Sequence, residues 1–319
     1  MRNFTYRRPT SLTDAIEAAS AESADLLASG TTMVDLMKIG VRQSVALVDI
    51  TALSELEGHE VGVGRIRFGA LARMAEVGDD KRLRAAASVL AESLWKAASP
   101  QLRHAARLGG NILQRTRCPY LRDTAYVQCN KRAPGSGCSA LDGGETKLHA
   151  ILGGSKACVA MGPADRAQAT IAFDAEVTTQ SMGGKRTISF ADLHVLPDDT
   201  PEIETILEPG EIVTGITVPV IPALKASHYL KARARESYAF ATDSAAVGVE
   251  INGDMVRDVR IALSGVASVP WRAHEAEEML KGGPLTEDTA REASHRLGVP
   301  SRMIAETLGD LRFSWQDRF

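Results

Sequence analysis

Leu27-Ala28-Ser29-Gly30-Thr31-Thr32-Met33-Val34-Asp35-Leu36 places a glycine and three hydroxyl side chains between a short apolar run and the start of a helical pattern. Free amides at a helix N-terminus attract anions, and a glycine lets a ligand reach the main chain. The stretch therefore predicts a cradle suited to a pyrophosphate. The same residues could also form a plain turn with an N-cap. Around them, 26–28 and 46–50 read as short buried strands flanking a helix over 33–39. Ser11 predicts the cap of a helix over 11–21, with Leu12, Ala15, Ile16 and Ala19 on one face.

Further along, 61–68 reads as a strand or hairpin. Gly62 and Gly64 lack a third glycine, because position 67 is Arg67, so no dinucleotide fingerprint is expected. Residues 71–77 and the alanine-rich 81–98 read as helices, and 169–177, 185–190 and 212–220 as strands. Pro219 and Pro222 predict a boundary. Beyond it, strands are expected over 228–235, 244–252 and 259–266, then helices over 271–280 and 286–297. The expectation is an α+β chain divided into 1–55, 56–221 and 222–319.

A second glycine-rich candidate is Ser99-Pro100-Gln101-Leu102-Arg103 followed by Leu108-Gly109-Gly110-Asn111-Ile112. Paired glycines admit close approach of a ligand to backbone amides, and Asn111 adds a directional amide. A tight bend at a packed crossing would use the same pair.

All four cysteines, Cys118, Cys129, Cys138 and Cys158, lie in one window of forty-one residues, separated by ten, eight and nineteen others. No Cys-x-x-Cys pair occurs, which disfavours a zinc ribbon or a thioredoxin-type site. Four thiolates can still close a zinc site or hold an iron–sulfur cluster. Two disulfides or four buried thiols are the plainer alternatives. Residues 115–158 carry seven cations (Arg115, Arg117, Arg122, Lys131, Arg132, Lys147, Lys156) against Asp123, Asp142 and Glu145. Such a surround suits an anionic metal–thiolate centre. His104, His149 and His228 are weaker candidates as metal ligand or base.

Composition narrows the function classes. The chain has 319 residues, 44% of them hydrophobic, a net charge of -3 and 5% aromatic content. That balance gives neither the basic footprint nor the stacking surface of a nucleic-acid binder. No run is apolar enough to predict a membrane span, and no signal peptide is expected in Met1-Arg2-Asn3-Phe4-Thr5-Tyr6-Arg7-Arg8-Pro9.

Together these segments resemble the FAD-binding medium subunit of the molybdenum hydroxylase (xanthine dehydrogenase) family. Most similar is the subunit of bacterial periplasmic-type aldehyde oxidoreductases with an extra [4Fe-4S] cluster. The resemblance rests on the 27–38 stretch, Gly69-Ala70-Leu71, Ala97-Ala98-Ser99-Pro100-Gln101-Leu102-Arg103, Gly109-Gly110-Asn111, Arg117-Cys118-Pro119-Tyr120, Cys129-Asn130-Lys131-Arg132, Gly137-Cys138 and His149-Ala150-Ile151-Leu152-Gly153-Gly154.

It implies a vanillyl-alcohol-oxidase-type (PCMH-like) fold with two N-terminal FAD-binding subdomains and a C-terminal α+β domain. Leu27, Ala28, Ser29, Gly30, Thr31, Thr32 and Met33 would wrap the FAD pyrophosphate. Ala98, Ser99, Gln101, Arg103, Gly109, Gly110, Asn111, Ile112, Asp165 and Lys231 would contact the rest of the cofactor, Lys231 near the isoalloxazine. The four cysteines would hold the [4Fe-4S] cluster, and no catalytic residue is expected.

The implied partners are a large molybdenum-cofactor subunit and a small [2Fe-2S] subunit in a heterotrimer, with a small-molecule electron acceptor. The resemblance also implies cytoplasmic location, or periplasmic if a partner carries the signal. A CoA-thioester reductase subunit of the hydroxybenzoyl-CoA type is the rival within the family, and a zinc-stabilised scaffold the rival outside it. Two departures stand out. Arg107 occupies a place where the family has a small hydroxyl residue, and its charge is expected to reach the flavin phosphates. The tail 299–319 lacks the family's usual ending.

Overall fold

A computed structural model describes residues 1–21 and 24–296; the tail 299–319 and the end of the helix expected over 286–297 lie outside the described residues. Strands β1 (Thr5–Arg7), β2 (Asp25–Leu27) and β3 (Ala46–Asp49) form a parallel sheet in the order β1-β3-β2. Parallel neighbours need crossovers, which helices α1 (Leu12–Ala21) and α2 (Met33–Lys38) supply. The Asp14 amide donates to Ser11 Oγ at 3.1 Å, the expected cap. Behind it, Ala15, Ile16 and Ala19 pack on Val48 and Ile50.

The second sheet is antiparallel: β4 (His59–Val61), β5 (Arg65–Gly69), β6 (Glu176–Ser181), β7 (Gly184–Ser189) and β8 (Ile212–Pro219), ordered β4-β5-β8-β6-β7. Its first pair is the expected hairpin, His59 opposite Phe68. The third sheet, β9 (Ser227–Ala232), β10 (Asp243–Asn252), β11 (Met255–Ser264) and β12 (Trp271–Arg272), is antiparallel in the order β12-β11-β10-β9. Helices His274–Leu280 and Glu287–Arg296 cover it. Tyr229 of β9 is fully buried in the same core as Phe68, Phe173 and Phe190, so the third sheet is tied to the second through one aromatic anchor.

Three sequence expectations are corrected. The strand expected over 169–177 is helix Asp165–Ile171 followed by a turn, with strand only from Glu176. The helix expected over 81–98 is two helices, Lys81–Ala86 and Ser88–Trp95, broken at Ala87 (φ -159, ψ 70). The helix expected from 271 begins at His274, because Trp271 and Arg272 add a strand to β11.

Arg166 is the largest fully buried side chain, and among the described residues no carboxylate faces it. Nη1 donates to Leu90 O at 3.1 Å and the guanidinium lies over Phe68, while Nε and Nη2 have no partner. Burial pushes its pKa down to about 9. The charge therefore opposes folding fully below that pH, and the cost is relieved as pH rises through 9 toward the unfolded value of 12.5. Arg166→Met is expected to stabilise the chain by about 1–3 kcal/mol at pH 7.5, with the gain shrinking by pH 10. Denaturant titrations at the two pH values check both the sign and the trend.

Candidate functional site

The predicted cradle is built where β2 ends and α2 begins. Gly30 has φ +75, and a Cβ there would meet Val34 Cγ2 at 2.7 Å, so both backbone and space require glycine. The Val34 amide bonds Gly30 O and the Leu36 amide bonds Thr32 O. The amides of Gly30, Thr31 and Thr32 donate to no described residue, and Thr32 makes no side-chain cap. This is the orphaned donor set that an anion satisfies.

The second candidate segment has its own free amide. Gly109 is consumed structurally: its amide bonds Ala70 O at 2.8 Å and a Cβ would touch Ala70 at 3.0 Å. Gly110, by contrast, is exposed, with nothing within 4 Å of a built Cβ. Asn111 Oδ1 is buried without a partner, which leaves it for a bound polar group. Both glycines lie inside the short helix Leu108–Ile112, whose Ile112 is buried.

Around Ser99 the side chains also have local roles. The Leu102 amide donates to Ser99 Oγ at 3.3 Å, so that hydroxyl caps helix Pro100–Ala105. Gln101 is exposed, while Arg103 Nη1 donates to Ala97 O at 2.7 Å. Ala98 sits at φ +45, a strained value for alanine, and its carbonyl accepts from the Tyr238 amide at 3.3 Å. Such strain concentrates at binding sites. Ser99→Ala is expected to cost about 1 kcal/mol by loss of the cap, measurable by thermal denaturation of flavin-free protein.

Arg107 turns inward: Nη1 donates to Leu71 O at 2.7 Å and pairs with Glu57 at 3.4 Å, while Nε has no partner among the described residues.

Asp165 and Lys231 are brought together. Lys231 Nζ donates to Asp165 Oδ2 at 2.8 Å and to Lys96 O at 3.0 Å, and the Tyr229 hydroxyl donates to Asp165 Oδ1. The Lys231 side chain is 0% exposed, so this pair links the third sheet to helix Asp165–Ile171 without water.

The four cysteines are free thiols that line one cavity, together with Lys131, His149 and Ala160. Cys118, Cys129 and Cys158 are buried and pack with Leu36 of α2, Val41 and Leu121. Cys129 and Cys138 face each other across an antiparallel bridge. Burial pushes the Cys118 thiol up to about 11, so a free thiol there keeps its proton at neutral pH. Among the described residues, no three His, Cys, Asp or Glu groups stand close enough to hold a single metal ion.

The surrounding cations are mostly spent locally. Arg122 pairs with Asp35 of α2 at 2.6 Å, Arg132 bonds the carbonyls of Tyr120 and Leu121, and Arg115 and Lys131 both pair with Glu204. Burial alone would raise the Glu204 carboxyl, but Arg115 and Lys131 outweigh it and hold it below its usual range. Glu204 lies 73 residues from Lys131, and no local pattern announced it. Arg117, stacked over Phe240 at 4.5 Å, was likewise legible only as a charge. A neighbouring cavity shares Lys131, Cys158 and Ala160 with the first and reaches Asn111, joining the two candidate regions.

Residues 2–221 match the FAD-binding domain of molybdopterin dehydrogenases, and residues 228–300 match the CO dehydrogenase flavoprotein C-terminal domain. This chain belongs to that FAD-binding family. Among relatives, the aldehyde oxidoreductase FAD-binding subunit PaoB of Escherichia coli K12 is 39% identical over 98% of this chain and 99% of its own. The carbon monoxide dehydrogenase medium chain of Hydrogenophaga pseudoflava is 25% identical over 97% of this chain and 89% of its own.

The fold recurs in quinoline 2-oxidoreductase from Pseudomonas putida 86, with TM-score 0.72, 20% identity and 97% of both chains covered. FAD is the cofactor of the matched family domain. Among the described residues, no helix is long and apolar enough to cross a membrane.

Proposed function

We propose that this flavoprotein is the electron-transfer subunit of a molybdenum-dependent aldehyde oxidoreductase. It would carry electrons from [2Fe-2S] centres of a small partner to an external acceptor, while the aldehyde is oxidised on a large molybdenum subunit. The aldehyde assignment is supported by the full-length 39% identity to an aldehyde oxidoreductase FAD subunit, against about 25% to relatives of other substrates. FAD, when bound, exchanges electron pairs for single electrons.

In this reading Leu27 to Met33 hold the pyrophosphate on the free amides of Gly30, Thr31 and Thr32. Gly110 and Asn111 take the ribityl or phosphate oxygens, with Ala98, Ser99, Gln101, Arg103, Gly109 and Ile112 shaping the wall. Lys231, held by Asp165 at 2.8 Å, lies at the edge of the site. The functional units proposed are 1–55, 56–221 and 222–319.

We also assign a [4Fe-4S] cluster to Cys118, Cys129, Cys138 and Cys158. Four reduced cysteines on one cavity supply the donor set of such a cluster. Such a cluster supplies a one-electron site.

A single observation carries the proposal. Helix α2 starts at the glycine cradle and packs through Leu36 onto Cys118, Cys129 and Cys158, so the two centres share one element. Purification with the partner subunits, followed by flavin, iron and sulfide analysis and an aldehyde assay with a dye acceptor, tests it. One flavin per heterotrimer, four irons beyond those of the small subunit's [2Fe-2S] centres, and aldehyde-dependent dye reduction are expected, in line with the assigned groups. Stoichiometric zinc without flavin would overturn it.

A further inference from the structure

We infer that His149 is a positioning residue for the cysteine centre: its Nε2–H donates to the sulfur of Cys118 and favours the reduced state of the cluster held there. The inference rests on the cluster assignment above and adds to it a residue outside the ligand set.

His149 is 7% exposed and its Nε2 lies 3.3 Å from Cys118 Sγ. Its backbone is clamped: the His149 amide bonds Thr146 O, the Ala150 amide bonds Val159 O, and the Ile151 and Leu152 amides bond Val266 O. The ring stacks on Tyr120, with centroids 5.8 Å apart and planes at 29°. Tyr120 is itself fixed, because its hydroxyl accepts from the Glu145 amide at 2.6 Å. The imidazole therefore has one orientation, set by elements on both sides of it.

The chemistry of the contact follows from donor counting. A thiolate bound to iron has no proton and can only accept. A neutral imidazole has one N–H; the Thr146 carbonyl is the other acceptor near the ring, but Nδ1 makes no well-aligned bond to it, whereas Nε2 lies 3.3 Å from the sulfur. A buried N–H without an acceptor is costly, so the proton belongs on Nε2, facing the sulfur. Cys158 Sγ accepts from a backbone amide, that of Ala160 at 3.4 Å, whereas Cys118 also meets a side-chain donor. Hydrogen bonds to ligating sulfur stabilise added negative charge, and one-electron reduction places more of it there.

The test is an EPR-monitored redox titration of the full chain with its partner subunits, in wild type, His149→Phe and His149→Gln. Phenylalanine keeps the ring and its stacking on Tyr120 but removes the donor, while glutamine restores an N–H. At the wild-type midpoint potential, the reduced-to-oxidised ratio of the Phe variant is expected to fall roughly three- to tenfold, the worth of one hydrogen bond. The Gln variant is expected to recover at least part of the loss, with flavin content unchanged in both.

Iron lost from the Phe variant but kept in the Gln variant also supports the inference. Equal ratios in all three proteins overturn it, as does iron lost equally from both variants. A wild-type complex with no iron beyond that of the small subunit's [2Fe-2S] centres, read before any comparison of variants, overturns the cluster assignment itself and takes this inference with it.

Discussion

Gly30→Val is expected to yield a folded chain that retains less than a tenth of the wild-type flavin. The substitution places a β-branched residue at φ +75, where left-handed backbone costs roughly 1–2 kcal/mol or more. It also drives a Cβ to 2.7 Å from Val34 Cγ2. Relief requires the turn to open or α2 to shift, and either movement misaims the amides of Gly30, Thr31 and Thr32 together. A pyrophosphate held by several aligned amides then loses most of its charge-assisted bonds at once.

The rest of the sheet should survive, because the α1 core around Ile16, Val48 and Ile50 does not include Gly30. The ratio of absorbance at 450 nm to 280 nm reads flavin content, and circular dichroism reads the fold. Gly64→Ala is the matched control, since Gly64 has ordinary φ and open space around a built Cβ. Wild-type flavin content in Gly30→Val would remove the cradle from the binding site.

The parts of the fold legible in the sequence are those whose determinants are local. Ser11 and its cap, the Ala-rich face of α1, and the glycine between β2 and α2 each act within a few residues, and the structure keeps all three. The misread segments depend on distant partners. In helix Asp165–Ile171 every residue from Arg166 on is buried, so no polar face survives to mark a helical period.

The break at Ala87 has a tertiary cause. Ser88 Oγ donates to Ser227 O and the Val89 amide bonds Ser227 Oγ, pinning a second helix start to β9 across some 139 residues. The site divides the same way. Gly30, Gly110 and the cysteine set announced themselves by type and spacing. The inward turn of Arg107, the use of Ser99 as a cap and the neutralising role of Glu204 depend on what each side chain meets after folding.

Cys129→Ser is expected to strip from the purified complex most of the four irons and four sulfides assigned to this chain, leaving the small subunit's [2Fe-2S] centres and wild-type FAD occupancy. Serine keeps the size and much of the local bonding: the Cys129 amide donates to Ser136 Oγ and the residue faces Cys138 across the bridge, and neither contact uses the sulfur. What changes is the ligand. A hydroxyl is far harder to deprotonate than a thiol and a poor match for iron, so one corner of the donor set is lost. The cradle amides lie at the other end of α2 and share no hydrogen bond with Cys129. Aldehyde-dependent reduction of the flavin should therefore persist, and transfer to a one-electron acceptor should fall at least tenfold if the cluster is the exit. Iron at wild-type levels in Cys129→Ser would exclude this cysteine as a ligand. Flavin lost along with the iron would instead show that the cavity supports the cradle mechanically, through Leu36 and Val41.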